Sequence, residues 1–274
     1  NRGIVVNADR SDKEFWHRYI PFYDANMPRD ASRILEYGVL RGASIRWLRT
    51  KYPHAHIWGA DIIPRSSEWP ADESITYVQL DQGNRRQVSD FLSGLRYPLD
   101  LVIEDGSHVP EHQMLCLVET LPKIRSGGTY VLEDLQTSAL DLRRRGVQGD
   151  RDAGFRRLQT AIGIPRRLQL ARRAKSGANA LSLLLAIERT RALGNDSLDA
   201  RQVDRLACGP YMTSSEVRQV DSLIESVQLY KRVGLPLACW FCRSGDFDYR
   251  LMRCSCGEVL LKDDDSMTAV LVRR

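Results

Sequence analysis

Nowhere in its 274 residues does this sequence run eighteen apolar residues without interruption. The stretch therefore holds no helical membrane span, and its longest apolar runs, 181–187 and 235–242, have the size of core elements. The opening residues, NRGIVVNADRSDKEFWHRY, lack the long apolar core of a secretory signal, so the cytoplasm is the expected compartment. Disulfide staples are not expected either: six scattered cysteines in a chain with 43% hydrophobic residues suit a reducing compartment and a full apolar core. Strong net charge is missing too. The formal +5 is modest, but residues 141–179 concentrate eleven Arg or Lys against three Asp. Also absent is the dinucleotide pattern Gly-x-Gly-x-x-Gly.

What is present centres on residues 99–134, LDLVIEDGSHVPEHQMLCLVETLPKIRSGGTYVLED. An apolar run over 99–103 stops at Glu104-Asp105, and a second over 129–132 stops at Glu133-Asp134. Between them 110–124 keeps Met114, Leu115, Leu117, Val118 and Leu121 at helical spacing. That is strand, helix, strand. Parallel strands joined by a crossover helix end on one edge of the sheet, the edge where open α/β sheets bind ligands. Asp105, Glu133 and Asp134 are expected to converge there with His108 beside them. Acids also end strands simply because polar loops begin there. Three carboxylates at one point, however, repel unless a cation sits among them, and oxygen donors suit a hard ion such as Mg²⁺.

Upstream, residues 9–27 carry Phe15, Trp16, Tyr19, Ile20 and Tyr23 at helical spacing behind a Ser11 or Asp12 cap, which predicts one amphipathic helix. His17 on that helix is a candidate site residue or a packed one. A strand opening at Ile34-Leu35 stops at Glu36. Gly38 and Gly42 then bracket a turn into a helix, and a second strand ends on Asp61, an acid suited to accepting two ribose hydroxyls. A third strand, 75–80, stops at Asp81-Gln82. Five strands thus end on an acid, which points to one shared ligand edge.

After Asp134 the pattern changes. Residues 137–210 show no strand signal, several Arg pairs and helical patches at 155–162 and 180–191, read as a helical insert or lid or as a solvated basic surface. A helix over 214–224 precedes runs at 227–230 and 237–241, expected as an antiparallel pair. A last hairpin is expected from 259–261 and 269–272, turning at 263–266. Cys239, Cys242, Cys254 and Cys256 have paired spacings suited to tetrahedral Zn²⁺. A strand through 237–241 would instead point Cys239 and Cys242 to opposite faces, leaving buried structural cysteines.

Glu36-x-Gly38-x-x-x-Gly42 followed by Asp61 resembles the nucleotide-binding half of class I S-adenosylmethionine-dependent methyltransferases. DRSDK near the start, IEDGSH at 103–108 and VLED at 131–134 resemble, more narrowly, the macrocin and mycinamicin sugar O-methyltransferases of macrolide biosynthesis. The likeness covers residues 9–135 well and 212–244 loosely. It implies a doubly wound, mostly parallel α/β sheet, to which the residues themselves add a helical insert and a C-terminal β-hairpin; the Arg-rich segment 141–179 and the tail from Gly245 have no counterpart in the family. The expected organisation, from residues and resemblance together, is an N-terminal helical segment (1–30), a cofactor-binding domain (31–136 and 211–244), an Arg-rich insert or lid (137–210) and a β extension (245–274). It implies S-adenosylmethionine on Glu36, Gly38, Gly42, Ser44, Asp61, Asp81 and Gln82. It further implies Mg²⁺ on Asp105, Glu133 and Asp134, and catalysis by Asp105 and by His108 as base. Ligation of the ion and capping of the helix near Pro110 are the competing roles for His108.

The expected reaction is methyl transfer to a sugar hydroxyl of a glycosylated natural product, with vicinal diols favoured because they chelate the ion. Two rivals stand beside it. The Arg-rich stretch suits an RNA methyltransferase, although three carboxylates near a polyanion speak against one, and the fold can also serve a non-catalytic partner protein. The partner expected is a small-molecule glycoside rather than a nucleic acid or a membrane, with homo-oligomerisation left open.

Overall fold

The computed structural model describes residues 11–15, 17–138, 178–232, 238–239, 242–248, 253–256 and 266–274. Its centre is a seven-stranded sheet in the order β3-β2-β1-β4-β5-β9-β6. The strands are β1 (Arg33–Tyr37), β2 (His56–Asp61), β3 (Ile75–Gln79), β4 (Leu99–Glu104), β5 (Ile124–Leu132), β6 (Ile224–Arg232) and β9 (Ser266–Arg273). A separate two-stranded ribbon joins β7 (Phe247–Asp248) to β8 (Arg253–Cys254). From β3 to β5 every neighbouring pair is parallel; β9 alone runs antiparallel to β5 and β6.

Parallel strands covered on both faces must be apolar on both, and β4 is buried at all six positions. Alternate residues go to opposite layers. Ile34, Ile57, Ile103, Val131 and Val270 face a cluster with Tyr19, Tyr23, Ile45 and Leu48. Leu35, Val102, Tyr130, Leu132 and Ala269 face the other, larger cluster. The first layer is covered by α2 (Ile20–Asn26) and α3 (Ala43–Lys51). The second is covered by α4 (Arg85–Ser93), α5 (Pro110–Thr120), α6 (Ala180–Ala192), α7 (Ala200–Leu206) and α8 (Ser214–Leu223). Pro110 opens α5, where its missing N–H costs nothing, and capping boxes at Asn179, Asp199 and Thr213 open the last three helices.

Three expected elements take another form in the structure. The helix expected over 9–27 is two short ones, α1 (Asp12–Phe15) and α2, separated by Arg18 at φ +57°. A proline ring clashes with the carbonyl four residues back, so Pro21 prevents a continuous helix through His17. The side chains of Phe15 and Trp16, part of the expected aromatic face, lie outside the described residues. Second, β6 pairs not with 237–241 but with β9; positions 237, 240 and 241 are outside the described residues, and Ala238 and Cys239 are not in a strand. Third, the expected terminal hairpin is replaced by an inserted strand. β9 sits between β5 and β6, and Met267, Ala269, Val270 and Leu271 are all fully buried, as a strand covered on both faces requires. Residues 259–261 and the turn at 263–265 lie outside the described residues. The helical patch expected at 180–191 forms α6, which buries Leu183, Leu184 and Ile187 in the core. The patch at 155–162 and nearly all of the Arg-rich stretch fall outside the described residues.

Candidate active site

Strand order reverses between β1 and β4, and at such a switch point the loops leaving the two strands open a crevice at the carboxyl edge. Gly38, at φ +90°, ends β1 so close to the β4 loop that a Cβ there would overlap the Asp105 carbonyl oxygen. Only glycine fits. Gly42 closes the same turn at φ +74°, with a Cβ position 2.7 Å from Pro70 Cδ. The turn is held from β2: Asp61 Oδ2 accepts the Val39 N–H at 2.7 Å and the Leu40 N–H at 3.0 Å, while Oδ1 accepts Ile63 N–H at 3.0 Å. Glu36 is fully buried beneath it and accepts a short hydrogen bond from Ser44 Oγ. Glu36, Gly38, Gly42, Ser44 and Asp61 therefore share one cradle.

Asp81 and Gln82 are engaged elsewhere. Asp81 Oδ1 accepts Gly83 N–H at 2.8 Å within its own turn. Gln82 donates Nε2 to Glu104 Oε1 at 2.5 Å and accepts Ser107 N–H at 2.8 Å, so it braces the β4 loop.

Beside the cradle Asp105, His108 and Asp134 each offer a ligand atom, all within 4.8 Å of one another. His108 Nε2 lies 3.6 Å from Asp134 Oδ2 and 3.9 Å from Asp105 Oδ1. His108 and Asp134 both occupy the left-handed region, at φ +52° and +53°. Such strain collects where the surrounding structure fixes a side chain for use. His108 does not cap α5: the N-cap is Val109, with no side-chain hydrogen bond, and His108 Nδ1 has no hydrogen-bond partner among the described residues. Glu133, expected in the same set, instead points its Oε1 at Lys13 Nζ, 2.8 Å away.

Lys13 is the site residue that helical periodicity does not reveal. It is completely buried, makes a very short ion pair with Asp105, and lies 3.9 Å from Glu36. A lysine within the DRSDK motif was the available signal, hidden because the segment reads as an amphipathic helix whose polar residues face water. Tyr19, whose helical spacing points to packing alone, places its hydroxyl 3.2 Å from both Asp134 Oδ1 and the Met267 carbonyl. His17 is buried, stacks on Tyr19 and places Nδ1 2.7 Å from Ser266 Oγ and 4.0 Å from Asp134 Oδ1.

Charges in this cluster shift one another strongly. Burial pulls the Lys13 ammonium down, but Asp105, Glu133 and Glu36 outweigh it and hold it well above the usual lysine range. Burial and then the Asp105 charge push Glu133 up against the pull of Lys13. Asp134 goes the other way: burial is overcome by His108 and His17, so its carboxyl titrates low. His108 is raised because Asp134, Asp105 and Glu104 outweigh its burial. Glu104, fully buried, is pushed up by desolvation to about 7. One ammonium thus faces more carboxylates than it can neutralise, and the donors are oxygens. That fits a hard divalent cation.

No family model matches the chain. It is 34% identical over 151 residues to the 8-demethyl-8-(2-methoxy-alpha-L-rhamnosyl)-tetracenomycin-C 3'-O-methyltransferase of Streptomyces olivaceus, covering 50% of this chain and 37% of that protein. To the mycinamicin VI 2''-O-methyltransferase of Micromonospora griseorubida it is 35% identical over 136 residues, covering 45% of this chain and 33% of the relative. The chain spans less than half the length of the curated relatives it matches. Among solved structures, the MycE methyltransferase of the mycinamycin pathway, in complex with Mg, SAH and mycinamycin VI, aligns with a TM-score of 0.50 at 24% identity, over 79% of this chain and 47% of that one. This likeness is one of fold. Taken with the strand order and the sequence identities, it shows that the chain carries the class I methyltransferase fold and is related to the macrocin and mycinamicin sugar O-methyltransferases.

Proposed function

We propose that this chain transfers the methyl group of S-adenosylmethionine to a sugar hydroxyl of a glycosylated natural product, using Mg²⁺. The observation that carries the reading is the meeting of Asp105, His108 and Asp134 beside the Gly38 turn, in a chain whose relatives are named for methylating sugars. Asp105 and Asp134 would hold the ion, which when bound acts as a Lewis acid on the acceptor hydroxyl, while Glu133 stays on Lys13. The remaining work belongs to the chain. Asp61 fixes the 38–42 turn through two backbone N–H groups, so the cofactor's cradle is shaped before the cofactor arrives. A sugar hydroxyl is a poor nucleophile at neutral pH, so its proton must leave as the new bond forms. His108 takes it at Nε2, where Asp134 Oδ2 and Asp105 Oδ1 stabilise the resulting imidazolium. Tyr19 and His17 keep Asp134 in place.

Among the described residues no helix is long and apolar enough to cross a membrane, and none of the six cysteines forms a disulfide. Both suit an enzyme of the reducing cytoplasm. The test is incubation with S-adenosylmethionine, Mg²⁺ and a panel of glycosides. A mass gain of one methyl is expected, lost in excess EDTA and unaffected by added RNA. Full turnover in EDTA would remove the metal from the reading, and methylation of RNA but of no glycoside would replace it.

A further inference from the structure

The connection from β6 to β9 carries four cysteines that the chemistry above does not use. Cys239 Sγ lies 3.9 Å from Cys256 Sγ, and Cys242 Sγ lies 3.4 Å from Cys254 Sγ, with all four sulfurs within 4.8 Å of one another. A disulfide needs about 2.05 Å, so neither pair is bonded. Four sulfurs on a zinc ion at about 2.3 Å stand about 3.8 Å apart, the edge of the tetrahedron. The observed separations straddle that edge.

Backbone geometry prepares the same arrangement. Cys239 N–H donates to the Ser244 carbonyl at 2.7 Å and Arg243 N–H to the Cys239 carbonyl at 2.9 Å. With Arg243 in the left-handed region, this tight turn brings Cys239 and Cys242 to one side, unlike a strand. The β7–β8 ribbon then sets Phe247 opposite Cys254, and Ser255 N–H reaches back to the Asp246 carbonyl at 2.9 Å. The buried apolar cluster here is Cys239 and Cys254 with Phe247 packed against them. Two-residue strands over so small a core do not hold themselves together without a staple.

We infer that Cys239, Cys242, Cys254 and Cys256 bind one structural Zn²⁺ that folds the 239–256 segment. Cysteine fills all four ligand positions, so the site is closed and takes no substrate. Its place in the chain gives it a second consequence. β6 runs parallel to β5, so the connection leaves the sheet at the ligand edge after Arg232 and returns there at Ser266. Ser266 and Met267 are the residues that meet His17 and Tyr19. The zinc segment is thus spliced into the loop that lands on the candidate active site.

The test is metal analysis of the full chain purified without chelator, with wild type beside the double variant Cys242→Ser/Cys256→Ser, whose two exposed positions leave the buried pair intact. One zinc per chain is expected in wild type and none in the variant. Co²⁺ exchanged into wild type is expected to give the intense thiolate charge-transfer and tetrahedral ligand-field bands of an S₄ site. In native alkylation, excess Zn²⁺ should protect Cys242 and Cys256 of wild type. Zinc-free wild type that takes up no added Zn²⁺, a mass showing disulfides in freshly purified protein, iron in place of zinc, or equal zinc content in the variant would each overturn the inference. None of these readouts depends on methyl transfer.

Discussion

Strand β4 carries a buried acid at each end, and the two ends are neutralised in opposite ways. At the amino end Asp100 Oδ2 accepts Ser32 N–H at 3.0 Å and Arg33 N–H at 2.8 Å, and Oδ1 accepts Arg125 Nε at 2.6 Å. Burial alone would raise its carboxyl, but these donors overcome burial and hold it below the usual range. At the carboxyl end Glu104, Asp105 and, from β5, Glu133 share one lysine and one glutamine, and Glu104 and Glu133 are pushed up. A carboxylate with a full set of donors ties strands together. Carboxylates crowded around too little positive charge hold a place for a cation.

The widest separation between the two ends should appear in turnover. His108→Ala is expected to lose about 10²- to 10⁴-fold in turnover, the usual worth of a general base, with its melting temperature nearly unchanged. The acidic limb of the pH profile, set by the need for a neutral imidazole, should vanish with it. Asp100→Asn should keep wild-type turnover. Near-normal turnover and an unchanged profile in the Ala variant would make His108 structural.

Exchanging the cation at each end comes next. Lys13→Met strands Asp105 and Glu133 without their ammonium, and breaking a buried pair in this way costs about 3–5 kcal/mol. Added Mg²⁺ should recover more stability in that variant than in wild type. Arg125→Met removes a partly exposed cation from an acid that keeps two backbone donors, so the loss should stay below about 1 kcal/mol. Thermal melts with and without Mg²⁺ check both, and equal losses would erase the comparison.

How much of this was legible beforehand follows the same division. Strands that end on acids could be read from apolar runs that stop abruptly, which located Asp61, Asp105 and Asp134 and the edge they share. The cradle glycines were legible because close backbone approach leaves glycine as the solution. Lys13 was not, because periodicity assigns polar residues of a helix to solvent and says nothing about an ion pair ninety-two positions away. Nor was the place of β9, since local sequence shows a strand but not its neighbours, and pairing with β5 and β6 is decided by long-range packing. The four cysteines were legible as a set; the misread strand around Cys239 hid their convergence.

Cofactor binding offers a smaller effect on the cradle side of the switch point. A ligand at a hundredfold excess over its Kd adds about 2.7 kcal/mol to stability, so S-adenosylmethionine should raise the melting temperature of wild type. Asp61→Ala releases the Val39 and Leu40 N–H groups and should abolish that shift. Lys13→Met should retain most of it. The same shift in Asp61→Ala as in wild type would detach Asp61 from cofactor binding.

The smallest effect is also the one that isolates the two acids of β4 from everything else. A carboxyl whose folded pKa is depressed contributes stability above its unfolded pKa and loses it as pH falls through the folded value. The deficit of Asp100→Asn, about 1–2 kcal/mol for charge-assisted hydrogen bonds weakened rather than removed, should therefore be constant from pH 5 to 8 (~1 unit and more above the usual carboxylate value) and shrink in more acid solution. A carboxyl whose folded pKa is raised does the reverse: it costs stability once pH passes the unfolded value, and the cost grows until the folded value is reached. With Glu104 at about 7, Glu104→Gln should gain on wild type progressively between about pH 4 and 7 and stay level above. Gln at 104 keeps an oxygen for Gln82 Nε2, so the gain reports charge rather than a lost hydrogen bond. Denaturant melts across this range give two differences with opposite slopes, separated along the pH axis. Parallel slopes would mean that the carboxyl edge is as well neutralised as the amino edge, and the case for a cation at Asp105 and Asp134 would lose its electrostatic ground.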